Sequence, residues 1–298
     1  MTTRRRFLSI VAGAAVAPVI GLSSTNNVSQ WRGIALGADA RIVLDHPNAD
    51  RLIEMAVSEI HRLESIFSLY QADSQISRLN RDGRLVQPAF EMIELLSISS
   101  RLNARTDGAF DPTVQALWSL YAEEFTAGNQ PVDERISQAM AVTGWGHVKY
   151  TPQEISFDRT GVMMTLNGIA QGFIADKVTE LLRQNGVTDV MVNTGEIAAL
   201  GVAPNGDAWD IKLNGDLGRV SLHGAAVATS APLGTSFDEG GAVGHILDPR
   251  TGYPGGVWSG VSVVSKSAAE ADGLSTAFCL MPESEILAAK GDSDVYLL

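Results

Sequence analysis

The apolar positions of this chain change period several times, and each change marks an element. Between 50 and 67, Ile53, Ala56, Ile60, Leu63 and Phe67 recur at steps of three and four, which predicts an amphipathic helix. A second helix over 88–104 would carry Met92, Leu95, Leu96, Ser99 and Leu102 to the core. Shorter helices are expected over 133–140 and over 173–184, the latter ended by Gly186. Strand-like stretches run over 31–44, interrupted by Gly33 and Gly37, and over 147–150, 155–158 and 162–166, which read as a small antiparallel meander. Beyond Gly186 the chain is strand-rich, at 188–193, 197–202, 209–213, 219–222, 226–229 and 260–265.

The helix starting at Ser267 carries the densest chemistry. Ser267 and Glu270 have capping-box spacing, and Leu274, Ala277, Phe278 and Met281 follow at helical intervals. Asp272 and Thr276 then lie one turn apart, a carboxylate and a hydroxyl on one face near a helix start, where the macrodipole favours anions. Such a pair suits a hard cation. Two oxygens do not fill the octahedral shell of Mg²⁺, so backbone carbonyls, water or a substrate phosphate would supply the rest. The alternative is an ordinary acidic residue in a first turn, with Thr276 bonded back to the chain.

Four polar interruptions stand out among the apolar runs. Residues 68–80 are too polar for core and too patterned for a tail. Residues 108–113 form a loop entering a helix, with Asp111 as N-cap and Pro112 at the first helical position, and capping alone accounts for that aspartate. Residues 166–173 turn from strand to helix through Gly168, either as an anion site at a helix N-terminus or as a purely structural turn. His245 opens a dense polar loop over 245–254, where it is either a general base or a histidine bonded to a neighbouring carbonyl. Thr194-Gly195-Glu196 breaks the strands more briefly.

Composition narrows the setting. The chain has 298 residues, 45% of them hydrophobic, enough for one large domain or two small ones. Residues 1–25 hold Thr3-Arg4-Arg5-Arg6-Phe7-Leu8 and a short alanine-rich apolar run, a signal-peptide pattern that resembles the twin-arginine export signal. The expected location is the periplasm, with a membrane anchor as the alternative if the segment is not cleaved. The formal net charge is −12, and removing the three arginines of the leader leaves about −15, so nucleic acid is excluded as a partner. The lone cysteine, Cys279, excludes an internal disulfide and reads as a buried structural thiol.

Taken in order, five stretches of this chain resemble the ApbE family of FAD:protein FMN transferases. They are 74–80 (Ser-Gln-Ile-Ser-Arg-Leu-Asn), 108–113 (Gly-Ala-Phe-Asp-Pro-Thr), 167–173 (Asn-Gly-Ile-Ala-Gln-Gly-Phe), 245–252 (His-Ile-Leu-Asp-Pro-Arg-Thr-Gly) and 271–277 (Ala-Asp-Gly-Leu-Ser-Thr-Ala). The resemblance implies an α+β fold of mixed or antiparallel sheets with packed helices over residues 30–298. It implies FAD bound in a cleft with Mg²⁺ on the pyrophosphate, and transfer of the FMN half to a Ser or Thr hydroxyl of a client redox protein, releasing AMP. Carried over by residue, Asp272, Thr276 and the Gly168 carbonyl would hold the metal, with Ser275 close by. Tyr70, Ala109, Phe110, Asp111, Gln171 and Leu247 match flavin-binding positions, and His245 matches the histidine that activates the acceptor. No acceptor motif is found in this chain, so a separate client is implied, which could bring the enzyme near a membrane.

This chain departs from the family pattern at Gln171, where many members have lysine, at Thr165, where some have an acidic residue, and at Ala231-Pro232 after Thr229-Ser230. Two other readings use the same residues: a Mg²⁺-dependent FAD pyrophosphatase in which water replaces the hydroxyl, and an exported flavin carrier without turnover. The Asp272–Thr276 pair favours catalysis, because flavin binding alone does not need a metal site.

Overall fold

Strand pairing organises the molecule, for which the computed structural model describes residues 28–213 and 217–298; the leader expected over 1–25 lies outside them. A hairpin of β1 (Val28–Ala35) and β2 (Ala38–Asp45) comes first among the described residues, turning at Leu36 and Gly37 with positive φ. There follow α1 (Ala49–Phe67), α2 (Gln75–Asp82), β3 (Arg84–Val86) and α3 (Phe90–Arg105). A 3-10 turn at Pro112–Val114 runs into α4 (Gln115–Thr126), then α5 (Asp133–Met140), β4 (Val148–Tyr150) and β5 (Glu154–Phe157). The second half holds α6 (Ala170–Gln184), β6 (Val190–Asn193), β7 (Ile197–Leu200), β8 (Trp209–Lys212), β9 (Arg219–Leu222) and β10 (Ala225–Ser230). It ends with β11 (Val261–Ser265), α7 (Ala268–Phe278), α8 (Glu283–Ala289) and β12 (Asp294–Leu297).

The main sheet has the order β1-β2-β6-β7-β10-β11-β12, and every neighbouring pair is antiparallel. Alternation sends Ile42, Leu44, Val190, Val192, Ala226, Ala228, Val261 and Val263 to the face covered by helices. Val43, Met191, Ile197, Ala199 and Val227 point the other way, against Trp209, Ile211, Val220 and Leu222 of the β8–β9 hairpin. Both faces of the central strands are therefore covered, which is why these strands read in the sequence as continuous apolar runs rather than as alternation. The α+β architecture with antiparallel sheets is the one expected. No helix among the described residues is long and apolar enough to cross a membrane.

One expectation is corrected. Residues 162–166 are not the third strand of the small sheet, whose order is β3-β5-β4. Val162, Met164 and Leu166 are buried at a period of two, as in a strand, but the backbone there is bonded otherwise. Met164 N–H donates to Asn80 Oδ1 at 2.7 Å, Asn80 Nδ2 donates to the Met164 carbonyl at 2.8 Å, and Thr165 N–H donates to the Pro112 carbonyl at 2.8 Å. One side-chain amide thus stands in for a neighbouring strand. The polar stretch 68–80, for which the sequence suggested neither core nor tail, ends in the capped helix α2. Ser74 Oγ accepts from Ser77 N–H at 3.1 Å, Gly83 closes the C-terminus at φ +68°, and within the helix only Ile76 and Leu79 are buried. In α1, Leu52 and Ile66 join the buried stripe while Ile53 stays partly exposed.

Candidate active site

Helices α6 and α7 meet so closely that a side chain could not fit between them at Gly172, where a Cβ would lie 2.8 Å from Ala269 N and closer still to the Ala268 carbonyl. That approach lets Gly172 N–H donate to Asp272 Oδ2 at 3.0 Å. The free amides at the start of α7 are taken by Asp176 of α6, whose Oδ1 accepts from Ala268 N at 2.8 Å and Oδ2 from Ala269 N at 3.0 Å, while Ser267 Oγ donates to it at 2.7 Å. The carboxylate at the helix start is therefore Asp176; Asp272 sits in the second turn and is oriented by α6. Ser267 caps the helix as its spacing predicts, accepting from Glu270 N–H at 3.2 Å, while the Glu270 carboxylate pairs with Arg105 rather than closing the box.

Asp272, Thr276, Gly168 and Gln171 line one wall of a cavity of about 570 Å³. A Cβ on Gly168 would lie 3.0 Å from Thr276 Oγ1, so the Gly168 backbone and the Thr276 hydroxyl are immediate neighbours. Asp272 is 3% exposed, and its Oδ1 accepts no hydrogen bond from the described residues. Burial pushes its pKa up to about 7; the Gly172 N–H opposes this and Asp176 adds to it. Glu196, in the turn between β6 and β7, faces the same cavity at 5% exposure. Burial, and then the nearby Asp272, hold its carboxyl well above the usual range, against the Thr229 N–H. These are hard oxygen donors on neighbouring elements, a set that fits a divalent cation such as Mg²⁺.

The cavity is also lined by Tyr70, Ala109, Phe110, Asp111, Leu247 and His245. The Tyr70 hydroxyl lies near Asn167, next to Gly168. Asp111 is fully engaged: Oδ1 accepts from Thr113 N at 2.8 Å and from its hydroxyl at 2.6 Å, and Oδ2 from Trp145 N at 2.8 Å and Asn103 Nδ2 at 3.4 Å. Its carboxylate holds the loop; a ligand here would meet backbone and the Phe110 ring. Leu247 packs with Leu117, Tyr121 and Phe237 behind the cavity.

His245 Nδ1 lies 3.0 Å from the Thr235 carbonyl and 3.2 Å from that of Pro232. Both are acceptors, so Nδ1 carries the proton and Nε2 keeps the lone pair. Burial lowers the imidazole pKa below its ordinary value, while the two carbonyls raise it, so the neutral ring prevails at pH 7. In the same loop Asp248 pairs with Arg250.

Of the residues singled out from the sequence, Tyr70, Ala109, Phe110, Asp111, Gly168, Gln171, His245, Leu247, Asp272 and Thr276 share this one cavity. Ser275 does not line it. Its hydroxyl is fully buried, donates to the Asp272 carbonyl at 3.0 Å and lies 2.8 Å from Ser230 Oγ, and Ser230 in turn lies 3.3 Å from Thr276 Oγ1. Sequence reasoning passed over Glu196, Ser230 and Asp176. The acidic residue between two apolar strands at 194–196 was the available signal for the first. Cys279 is buried, as expected, with its thiol 3.6 Å from the Ser230 carbonyl.

The model of the ApbE family matches residues 36–296. An FAD:protein FMN transferase of Haemophilus influenzae is 29% identical over 98% of this chain and 89% of its own length. The crystal structure of the Pseudomonas stutzeri flavinyl transferase ApbE, in its apo form, superposes with a TM-score of 0.81 at 28% identity, covering 91% of each chain. The ApbE protein of Thermotoga maritima gives a TM-score of 0.81 at 27% identity, over 91% of this chain and 94% of the other.

Proposed function

The chain belongs to the ApbE family, and from that premise we propose that it transfers the FMN moiety of FAD to a Ser or Thr hydroxyl of a client protein, releasing AMP. The observation that carries the reading is the placement of a cation-ready oxygen set (Asp272, Thr276, Gly168) and an imidazole with a free Nε2 (His245) on one cavity. Asp272 and Thr276 would hold Mg²⁺ by side chain and Gly168 by its carbonyl. When bound, the cation would neutralise charge on the phosphoryl oxygens and the leaving AMP. His245 Nε2 takes the proton of the acceptor hydroxyl as its oxygen bonds to the FMN phosphorus; the bond from that phosphorus to the AMP phosphate oxygen breaks, and the electron pair leaves with AMP. The client is a redox protein that carries its flavin covalently. The deciding assay incubates the protein with FAD, Mg²⁺ and a candidate client and looks for an added FMN mass on a Ser or Thr. Free FMN without client labelling would instead mean a pyrophosphatase.

Among the described residues lining the cavity none is Lys or Arg, and the lysine common at position 171 is here Gln171. A dianionic pyrophosphate then depends on the cation for charge balance. FAD affinity, read by quenching of flavin fluorescence, is expected to fall about 5- to 150-fold on chelation, the usual range of coupling between two ligands. Equal affinity with and without chelator would remove the cation from substrate binding.

Export places this activity outside the cytoplasm, motivated by Arg4 and Arg5 ahead of Phe7-Leu8. Exchanging both arginines for lysine is expected to leave the protein in the cytoplasmic fraction. Unchanged export would point to the general secretory route.

A further inference from the structure

Asp272 and Glu196 are held in the same way. Each is at least nine-tenths buried, and each gives one carboxylate oxygen to a single backbone amide: Asp272 Oδ2 to Gly172 N at 3.0 Å, Glu196 Oε2 to Thr229 N at 3.0 Å. The second oxygen of each, Oδ1 and Oε1, accepts no hydrogen bond among the described residues, and both side chains line the cavity. No Lys, Arg or His offsets either charge. Burying two carboxylates side by side without a cation is costly, and buried carboxylates are ordinarily paired or coordinate metals.

The surroundings fix Glu196 in that position. Thr194 Oγ1 donates to the Gln171 carbonyl at 2.8 Å, tying the β6–β7 turn to the first turn of α6. The Gln171 amide lies against Gly195, so the turn packs directly on the α6 side chain that lines the cavity. On the other side β10 supplies the Thr229 amide, and the next residue, Ser230, reaches Thr276 Oγ1. Glu196 thus stands where α6, α7 and β10 converge, beside the residues that would hold the cation. A residue serving only to brace Thr229 would not need a carboxylate, since a neutral amide oxygen accepts one N–H as well.

We propose that Glu196 is a second carboxylate of the divalent-cation site, its Oε1 acting with Asp272 Oδ1 to hold the cation or a water bound to it. The inference rests on the transferase reading for the identity of the site, but not for its test. Mn²⁺ is the probe, added to the metal-free mature protein without FAD or client and followed by the EPR signal of the free ion. Glu196→Gln keeps an oxygen for the Thr229 amide and removes the negative charge. It is expected to weaken Mn²⁺ binding about 10- to 100-fold, the usual cost of losing a supporting carboxylate at a metal site. The thermal midpoint without cation should not fall, and FAD affinity at saturating Mn²⁺ should match the wild type. Unchanged Mn²⁺ affinity overturns the proposal. So does a lowered midpoint with FAD affinity that saturating Mn²⁺ does not restore, because Glu196 would then be a structural brace. If the variant does not fold, the wild type still decides: its infrared difference spectrum on adding Mg²⁺ should show two carboxylates responding, and a single one overturns the inference. A protein that binds Mn²⁺ through Glu196 but never labels a client sinks the transferase reading and leaves this one standing.

Discussion

Asp272→Ala is expected to lower FMN transfer by about 10³-fold or more, because a Lewis-acid cation contributes several kcal/mol to a phosphoryl transition state and each 1.4 kcal/mol is tenfold. Asp272 is the only described carboxylate in the cavity that lies on the same helix as Thr276, whose hydroxyl adjoins Gly168. The fold should survive. In the metal-free protein Asp272 is a buried acid whose pKa is raised from 3.8 to about 7, so its ionisation opposes folding. The folded state then binds more protons than the unfolded chain between about pH 4 and 7, and metal-free stability declines as pH rises through that window. Asp272→Ala should flatten this decline while abolishing transfer. Thermal midpoints across that range with chelator, beside AMP release with Mg²⁺, test both halves. Undiminished AMP release would remove Asp272 from the site.

Helices α1 and α3 were legible because each buries one stripe at helical spacing; the five core positions expected in α3 are its five buried residues. The main-sheet strands were visible as apolar runs, but their order was not, since β2 pairs with β6 across more than a hundred residues of intervening chain. Residues 162–166 carried a strand's burial pattern without a strand's partners, and nothing local reveals that Asn80 satisfies them. The edge strand β12 and the short helix α8 were missed for the opposite reason, being brief and half exposed. At the site, the spacing of Asp272 and Thr276 could be read locally. The roles of Gly172, Asp176 and Glu196 could not, because each arises only where two elements pack together.

His245→Ala is expected to slow transfer by about 10²- to 10⁴-fold, the range for losing a positioned general base, with FAD affinity nearly unchanged. The imidazole reaches the acceptor through Nε2, since Nδ1–H is spent on the Thr235 and Pro232 carbonyls. Those bonds also give His245 a bracing role, and Ala removes both roles together. His245→Asn separates them: its amide N–H can donate near the Nδ1 position, but nothing replaces the Nε2 lone pair. If the histidine is the base, Asn restores the thermal midpoint and not the rate; if it is a brace, Asn restores both. The pH profile gives a further check. Because burial holds the folded pKa below 6.5, wild-type transfer should reach its plateau at a lower pH than an exposed imidazole would allow, and the acid limb should vanish in either variant. Stability follows the same sign, for the unfolded chain takes up this proton before the folded one does, so His245 costs stability as pH falls below about 6.5 and its removal lessens that loss. Transfer at the normal rate by His245→Asn would assign the proton to another acceptor.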